Sequence, residues 1–170
     1  MQPKRLAADY VPMHPVIEHT VKKLLSTGYE FDIFILRDCT VPFIRNKDVQ
    51  GAIDLLKKKR CGLVLGVYEQ HMNHYYNILE LNSKGFLKII KPLKIKPRAR
   101  QEAPKVFQAN GLLVYDTKIF LKSNQYIKDQ LSSATPYQIP IDTGLMIDTE
   151  FEFQIAKLMI ENNYFIHRKL

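Results

Sequence analysis

The chain has 170 residues, of which 46% are hydrophobic and 25% are charged, the balance of an ordinary globular domain with one core. It contains no apolar run of the roughly 18 residues that a membrane span needs, so we expect no membrane partner. The N-terminus lacks an apolar signal core, and Cys39 and Cys61 form no metal-binding pair. A cytoplasmic location with two buried or half-buried reduced thiols is the expectation.

The first seventy residues alternate between helix and strand patterns. Helical spacing of apolar residues predicts a helix over residues 12 to 27 that ends at Gly28. The apolar run at 32 to 37 predicts a strand buried on both faces of a parallel sheet. A second helix from about Asn46 and a second buried strand over 61 to 68 follow. This alternation predicts an α/β fold of three layers with right-handed crossovers.

The second half of the chain predicts shorter elements. Antiparallel strands are predicted over 75 to 95, with a turn at Asn82–Gly85, and are followed by an exposed basic loop over 94 to 104. A loop at Asn110–Gly111 then leads into a buried strand, and a short helix is predicted over 117 to 124. The last two predicted elements are a strand over 137 to 147 and an amphipathic helix over 149 to 162. Thr149 is the predicted cap of the last helix, with Glu152 as its reciprocal partner.

The formal net charge of +8 indicates an anionic partner. One basic concentration, Lys57–Arg60, ends the second predicted helix, where the helix dipole favours cations. The other extends from Lys88 to Arg100 and suits either an anionic substrate pocket or a dimer arm. No recognisable nucleic-acid motif accompanies these charges, so we expect no nucleic-acid partner, and a nucleic-acid-binding module is an alternative supported by the charge alone.

Four stretches occur in the order and at the spacing typical of one enzyme family. They are Lys4–Ala7 with Pro12–Ile17 (family pattern RP-x-x-L-A and a helix), Leu36–Pro42 (LQPTSP), Arg100 and Gln101 followed by Pro104, Asn110 and Gly111 (RQ…P…Y-x-x-NG), and Met146–Ala156 (DIDT-x-x-D-x-x-x-A). Together they resemble the acylneuraminate cytidylyltransferases, which activate sialic-acid-type sugars with CTP.

The resemblance implies a Rossmann-like nucleotidyltransferase sheet of three layers with a small antiparallel extension. Residues 1 to 170 would form one partial domain, with a sugar-binding and dimerisation segment inserted at 75 to 110. The implied reaction transfers CMP from CTP to a nine-carbon acidic sugar, releases pyrophosphate and uses Mg²⁺, and the implied assembly is a homodimer.

The family's opening strand and its IPAR-x-G-S-K loop, which holds the triphosphate of CTP, have no counterpart in this sequence. We therefore expect a domain that is incomplete at its N-terminus, with one strand edge and one apolar face uncovered. The alternative function is a catalytically inactive fragment or relative that retains only sugar binding or dimerisation.

The resemblance places a catalytic and metal-binding carboxylate at Asp148. The family has a second Asp two residues earlier, where this chain has Met146, and a thioether is a poor ligand for Mg²⁺. Asp142 is the predicted second metal ligand, and Glu150 is an alternative to it. The simpler interpretation of Asp148 is that it only caps the last helix.

The resemblance also implies substrate-binding residues in the middle segment. Arg100 and Gln101 would bind the sugar carboxylate and its neighbours, although an exposed basic loop would look the same. Asn110 and Gly111 would approach the sugar closely, and a tight turn is the alternative interpretation of that pair.

The loop at 36 to 42 keeps the Thr40 and Pro42 of the family pattern but has Asp38 in place of a Gln and Val41 in place of a Ser. Asp38 and Thr40 are predicted to contact substrate. An Asp repels a triphosphate unless a cation intervenes, so Asp38 has the alternative role of capping the next turn.

Overall fold

The computed structural model describes residues 3–8, 10–95, 97–123 and 131–164. The helices are α1 (Met13–Ser26), α2 (Asn46–Lys59), α3 (Thr117–Lys122) and α4 (Glu150–Glu161). The strands are β1 (Ile33–Arg37), β2 (Leu63–Glu69), β3 (Leu79–Leu81), β4 (Leu87–Ile89), β5 (Phe107–Asp116) and β6 (Thr135–Gln138). The predicted alternation of helix and strand in the first seventy residues is confirmed.

Four strands form one sheet in the order β1-β5-β2-β6, and β3 and β4 form a separate two-stranded ribbon. Backbone hydrogen bonds at both ends of β5 show its direction relative to its neighbours. They join Asp38 to Gly111, Thr117 to Asp32, Gln70 to Val106 and Asp116 to Gly62, at 2.8 to 3.1 Å. Residue numbers rise along one strand as they fall along the other, so β5 is antiparallel to both β1 and β2.

Three sequence predictions need correction. The strand β1 is half-buried rather than buried on both faces of a parallel sheet. Its neighbour β5 is antiparallel to it, and Ile35 is 41% exposed because β1 is outermost in the strand order of the described residues. The Asn110–Gly111 pair lies inside β5 rather than in a loop before it. The predicted strand over 137 to 147 is a short strand, β6, followed by a turn at residues 141 to 144.

The chain divides into two compact units. The first comprises residues 1–37, 46–65 and 113–137. Its core packs Ile17 and Val21 of α1 against apolar side chains of β2, β5 and α3. Tyr115 is fully buried there, with its ring stacked on Phe34 at a centroid separation of 4.9 Å. The amphipathic pattern that predicts α1 is therefore the pattern that buries it.

The second unit comprises residues 38–45, 66–112 and 138–170. Its buried side chains include Val41, Leu112 and Ile139 together with two polar residues, Asn110 and Thr143. Every residue for which the sequence predicts a substrate or metal contact belongs to this unit.

The ribbon in the second unit pairs Leu79 with Ile89 and Leu81 with Leu87, as the predicted hairpin requires. These four side chains are 37 to 67% exposed. Between them, Glu80 and Lys88 form an ion pair of 3.0 Å. Since alternate residues of a strand point to opposite faces, the ribbon has one apolar face and one charged face.

In the described part of the chain, no helix combines the length and the hydropathy that crossing a bilayer requires. Cys39 and Cys61 are free thiols, as predicted, but Cys39 is exposed rather than buried or half-buried.

Candidate functional site

A hydrogen-bonded loop follows β2 in the second unit. Gln70 Oε1 accepts the backbone N–H of His71 at 2.8 Å, and Asn73 Oδ1 accepts that of Tyr75 at 2.9 Å. Asn73 Nδ2 donates to the Pro104 carbonyl at 3.0 Å, which ties the loop to the segment before β5. Asn73 is only 4% exposed, so these bonds satisfy a buried amide. The loop is thus held in one conformation by its own side chains.

A cavity of about 310 Å³ opens between this loop and the segment before β5. Its lining includes the predicted ligands Arg100 and Gln101 together with residues that the sequence did not single out as ligands: Glu69, Gln70, His71, Asn73, Tyr76 and Lys105. A volume of this size is at the lower end of the range for small-molecule sites. The structure therefore brings Arg100 and Gln101 to a concave polar site.

The electrostatics of the cavity depend on Arg100. Lys105 Nζ lies 2.7 Å from the Glu69 carboxylate, so these two lining charges largely neutralise each other. The Arg100 guanidinium lies over the Tyr76 ring, 5.9 Å from its centroid, and makes no ion pair with any described residue. It is available to bind an anion while the ring holds it in place.

A second group of predicted residues surrounds the Asp38 loop. Asp38 donates its backbone N–H to the Gly111 carbonyl at 2.8 Å, and its Oδ1 accepts the backbone N–H of Thr40 at 3.3 Å. The Thr40 carbonyl accepts the N–H of Ile147 at 2.9 Å. The Asp38 carboxylate thus supports its own turn, as the alternative interpretation expected, and the loop is tied to the turn before α4.

Gly111 has a φ of +72°, and a Cβ there would overlap the Asp38 side chain. A glycine is therefore required by the backbone conformation and by the close approach of the Asp38 loop. The neighbouring Asn110 is fully buried, and its Nδ2 has no hydrogen-bond partner among the described residues. The geometry accounts for Gly111 without a ligand but not for the buried Nδ2 of Asn110, and the sugar contacts of both residues stay predictions.

A chain of amide groups links the cavity to position 146. Gln70 Nε2 donates to Gln108 Oε1 at 2.7 Å, and Gln108 Nε2 lies 3.5 Å from the Met146 sulfur. Met146 stands where the resembled family has its first metal-binding Asp. In this chain, the side chain at that position accepts a contact from the Gln108 amide and offers no carboxylate to a metal ion.

Asp148 is exposed and directly precedes Thr149, the residue that caps α4. Thr149 and Glu152 form a reciprocal capping box, in which the backbone N–H of Thr149 donates to Glu152 Oε2 at 2.7 Å. The prediction of this cap is confirmed, and the interpretation of Asp148 as the cap is wrong. The hydrogen bond from the Thr149 hydroxyl, more than any other contact, lowers the pKa of Glu152.

The carboxylate charge near this turn also acts on Tyr68, which is 7% exposed. Burial, and then the negative charges of Asp148 and Glu152, raise the pKa of its phenol. Tyr68 also packs against the turn after β6, since a Cβ at Gly144 would lie 3.0 Å from its ring. Tyr68 was not predicted from the sequence, and as a buried aromatic residue of a strand it carries no signal that distinguishes it from core.

The two predicted metal ligands are placed differently. Asp148 is exposed, whereas both carboxylate oxygens of Asp142 are shielded from solvent. Glu150, the alternative, accepts a hydrogen bond of 2.6 Å from Gln154. In the parts of the chain that the structure describes, no three His, Cys, Asp or Glu side chains are grouped so that they could hold a metal ion. A cation here would need most of its ligands from a bound substrate or water.

Comparison of the sequence with known protein families finds no match, and comparison with curated proteins finds none either. The fold, in contrast, is similar to solved structures. One is a 4-diphosphocytidyl-2C-methyl-D-erythritol synthase from Anaerococcus prevotii, with a TM-score of 0.54 and 13% identity over 84% of this chain and 64% of that one.

A second similar structure is a CMP:2-keto-3-deoxy-manno-octonic acid synthetase complexed with CTP, with a TM-score of 0.51 and 12% identity. The match covers 86% of this chain and 68% of that one. The chain thus spans about two thirds of the length of these structures. At this level of identity the similarity concerns the fold alone, and the chain has the α/β fold of these two structures.

Proposed function

We propose that this chain is a cytidylyltransferase that transfers CMP from CTP to a nine-carbon acidic sugar and releases pyrophosphate. The observation that carries the proposal is the cavity that Arg100 and Gln101 line together with the hydrogen-bonded loop after β2. The fold supports it, because the two similar structures are a 4-diphosphocytidyl-2C-methyl-D-erythritol synthase and a CMP:2-keto-3-deoxy-manno-octonic acid synthetase complexed with CTP.

The cavity suits the acceptor of this reaction. The Arg100 guanidinium, held over Tyr76 and without an ion pair to a described residue, can bind a carboxylate through two parallel hydrogen bonds. The amides of Gln101 and Gln70 offer donors and acceptors to sugar hydroxyls. The Glu69–Lys105 ion pair keeps the opposing charges of the lining balanced, so the anion is directed to Arg100.

The proposed ligand of Mg²⁺ is Asp148, at the turn before α4. The ion is commonly bound by one or two carboxylates together with substrate phosphates, so one exposed carboxylate is sufficient when a triphosphate supplies the rest. When bound, the ion would neutralise phosphate charge. Asp142 is the weaker candidate because its carboxylate oxygens are shielded from solvent.

A second candidate function is that of a relative that binds the sugar without transferring CMP. It is favoured by Met146, whose sulfur lies 3.5 Å from the Gln108 amide where the resembled family has a metal-binding Asp. Sugar binding by the cavity is common to both candidates, whereas CTP binding separates them.

The proposed assembly is a homodimer formed through the ribbon. Its apolar face, defined by Leu79, Leu81, Leu87 and Ile89, is exposed, and an isolated two-stranded ribbon is only marginally stable in water. Pairing with the same face of a second copy would bury it on both chains by one two-fold contact.

The test is to incubate the protein with CTP, Mg²⁺ and sialic acid and to measure CMP-sugar and pyrophosphate. Arg100→Gln should raise the KM for the sugar at least about tenfold, since a charge-assisted hydrogen bond contributes about 1.5–3 kcal/mol. Lys94→Gln is the matched control, because it removes the same charge from an exposed residue that does not line the cavity.

Calorimetry separates the two candidates. Saturable sugar binding that is lost in Arg100→Gln, with no heat from CTP and no pyrophosphate, would assign the sugar-binding relative. An absence of sugar binding by the unaltered chain would contradict both candidates.

A further inference from the structure

A second cavity, of about 280 Å³, adjoins the first. Tyr76 and Arg100 line both cavities, and the remaining lining of the second is Asn77, Pro97, Arg98 and Ala99. The Arg100 guanidinium above the Tyr76 ring therefore forms a wall that the two cavities share.

The described lining of the second cavity carries two positive charges, and the Glu102 carboxylate, which accepts the backbone N–H of Arg98, is not part of that lining. Among the residues that the structure describes, its lining has two arginines and no acidic side chain, whereas the first cavity contains the Glu69–Lys105 ion pair. Neither Arg98 nor Arg100 forms an ion pair with any residue that the structure describes. Two positive charges that share one small concave site produce a local potential that attracts an anion.

Hydrogen bonds that do not involve the guanidinium groups of Arg98 and Arg100 hold the walls of the second cavity. The backbone N–H of Arg98 donates to the Glu102 carboxylate at 2.8 Å, and the N–H of Glu102 donates to the Ala99 carbonyl at 3.1 Å. Asn77 uses its side chain to bridge its own loop, with Nδ2 donating to the His71 carbonyl at 3.1 Å. A preformed wall lowers the ordering cost of binding a ligand.

We propose that the second cavity is an oxyanion site for a phosphate-type group, bound between Arg98 and Arg100. One guanidinium satisfies a carboxylate through a bidentate pair, whereas a phosphate carries more charge and more acceptor oxygens and can engage two. The described part of the lining contributes no carboxylate, which favours an anion over a neutral or cationic group. The phosphate is either a free ion, such as phosphate or pyrophosphate, or a substituent of the molecule that fills the first cavity.

The experiment titrates the full chain with inorganic pyrophosphate and inorganic phosphate by calorimetry at low salt. We expect saturable binding that Arg98→Gln weakens at least about tenfold, because charged hydrogen bonds contribute about 1.5–3 kcal/mol. Arg98→Lys should weaken binding less, since it keeps the charge but loses the planar fork. The matched control is Lys94→Gln, an equal loss of charge at an exposed residue that lines neither cavity.

Two further arms identify the source of the phosphate. If a phosphorylated sugar acid binds more tightly than the unphosphorylated acid, and Arg98→Gln removes the difference, the group belongs to the acceptor. If pyrophosphate binds equally well with and without the sugar acid, the site takes a free ion. Either result supports the site.

The proposal is overturned if neither anion binds saturably, or if Arg98→Gln and Lys94→Gln weaken binding equally, which indicates general screening of a basic surface. It does not depend on the proposed function. If the unaltered chain binds the anions but does not transfer CMP, only the proposed cytidylyltransferase function is rejected. If it transfers CMP but does not bind the anions, only this site is rejected.

Discussion

Gly66 in β2 lies where no side chain larger than hydrogen fits. A Cβ at this position would overlap Asn110 Oδ1 and lie 2.8 Å from Leu112 Cβ, and all three residues are buried. Because Asn110 is fully buried, it cannot move into solvent to make room. The residue type at position 66 is thus determined by partners more than forty positions away in the sequence.

Gly66→Ala should lower the free energy of unfolding by about 1–3 kcal/mol, the usual cost of overpacking a core. Urea denaturation followed by circular dichroism measures it. Ala109→Ser, at an exposed position of β5, is the control and should change the stability by less than about 0.5 kcal/mol. Equal stability of the two variants would show that the β5 contact is looser than described.

Because the phenol of Tyr115 is buried, we expect the folded chain to lose stability at alkaline pH. Burial raises the pKa of its phenol to about 12, and its hydroxyl has no hydrogen-bond partner among the described residues. A raised folded pKa means that the neutral form is favoured in the folded state. The contribution of the neutral phenol to the stability of the folded chain is therefore complete below the unfolded pKa of about 10 and is lost as the pH rises toward 12.

Tyr115→Phe should consequently be neutral or stabilising at pH 8, since it removes an unsatisfied buried hydroxyl. Between pH 10 and pH 12 it should retain up to about 2 kcal/mol more stability than the unaltered chain. Urea midpoints measured at pH 8 and again between pH 10 and pH 12 give the difference. Tyr10→Phe is the control, because Tyr10 is 88% exposed. A parallel decline of the unaltered chain and the Tyr115 variant would refute the assignment.

At the scale of elements, the local patterns were reliable where the controlling interactions lie within a few residues. The cap of α4 is an example, because Thr149 and Glu152 are three residues apart. Predictions were wrong where neighbours in space decide the outcome. The burial of β1 depends on its position in the strand order, and the placement of Asn110–Gly111 inside β5 depends on the Asp38 loop that packs against Gly111.

Thr149→Ala should destabilise the chain by about 1 kcal/mol, the usual cost of losing an N-cap, and Thr149→Ser should be close to neutral. The lowered pKa of Glu152 adds a pH dependence. Its contribution is present above the unfolded value of 4.5 and is lost as the pH falls through the folded value. Denaturation at pH 7 and pH 3 should therefore show a smaller effect of Thr149→Ala in acid. An effect of equal size at both pH values would exclude a role for the Glu152 carboxylate.

At the scale of the molecule, the proposed homodimer makes the ribbon face the feature to alter. Leu81→Lys combined with Leu87→Lys places two charges on its apolar face, and burying them unpaired is costly. The double variant should sediment as a monomer at micromolar concentration while the unaltered chain sediments as a dimer. Glu80→Gln, on the charged face, is the control and should remain dimeric. A monomeric unaltered chain would reject the assembly.

The sequence by itself determined the elements: the α/β alternation, the hairpin turn at Asn82–Gly85 and the capping box of α4 all follow from contacts between near neighbours. The candidate site was decided only by the tertiary structure. Its defining hydrogen bonds join residues that are 31 to 38 positions apart, from Asn73 to Pro104, Gln70 to Gln108 and Gln108 to Met146. No local periodicity encodes such pairs, because they form only when the strands and loops have packed together.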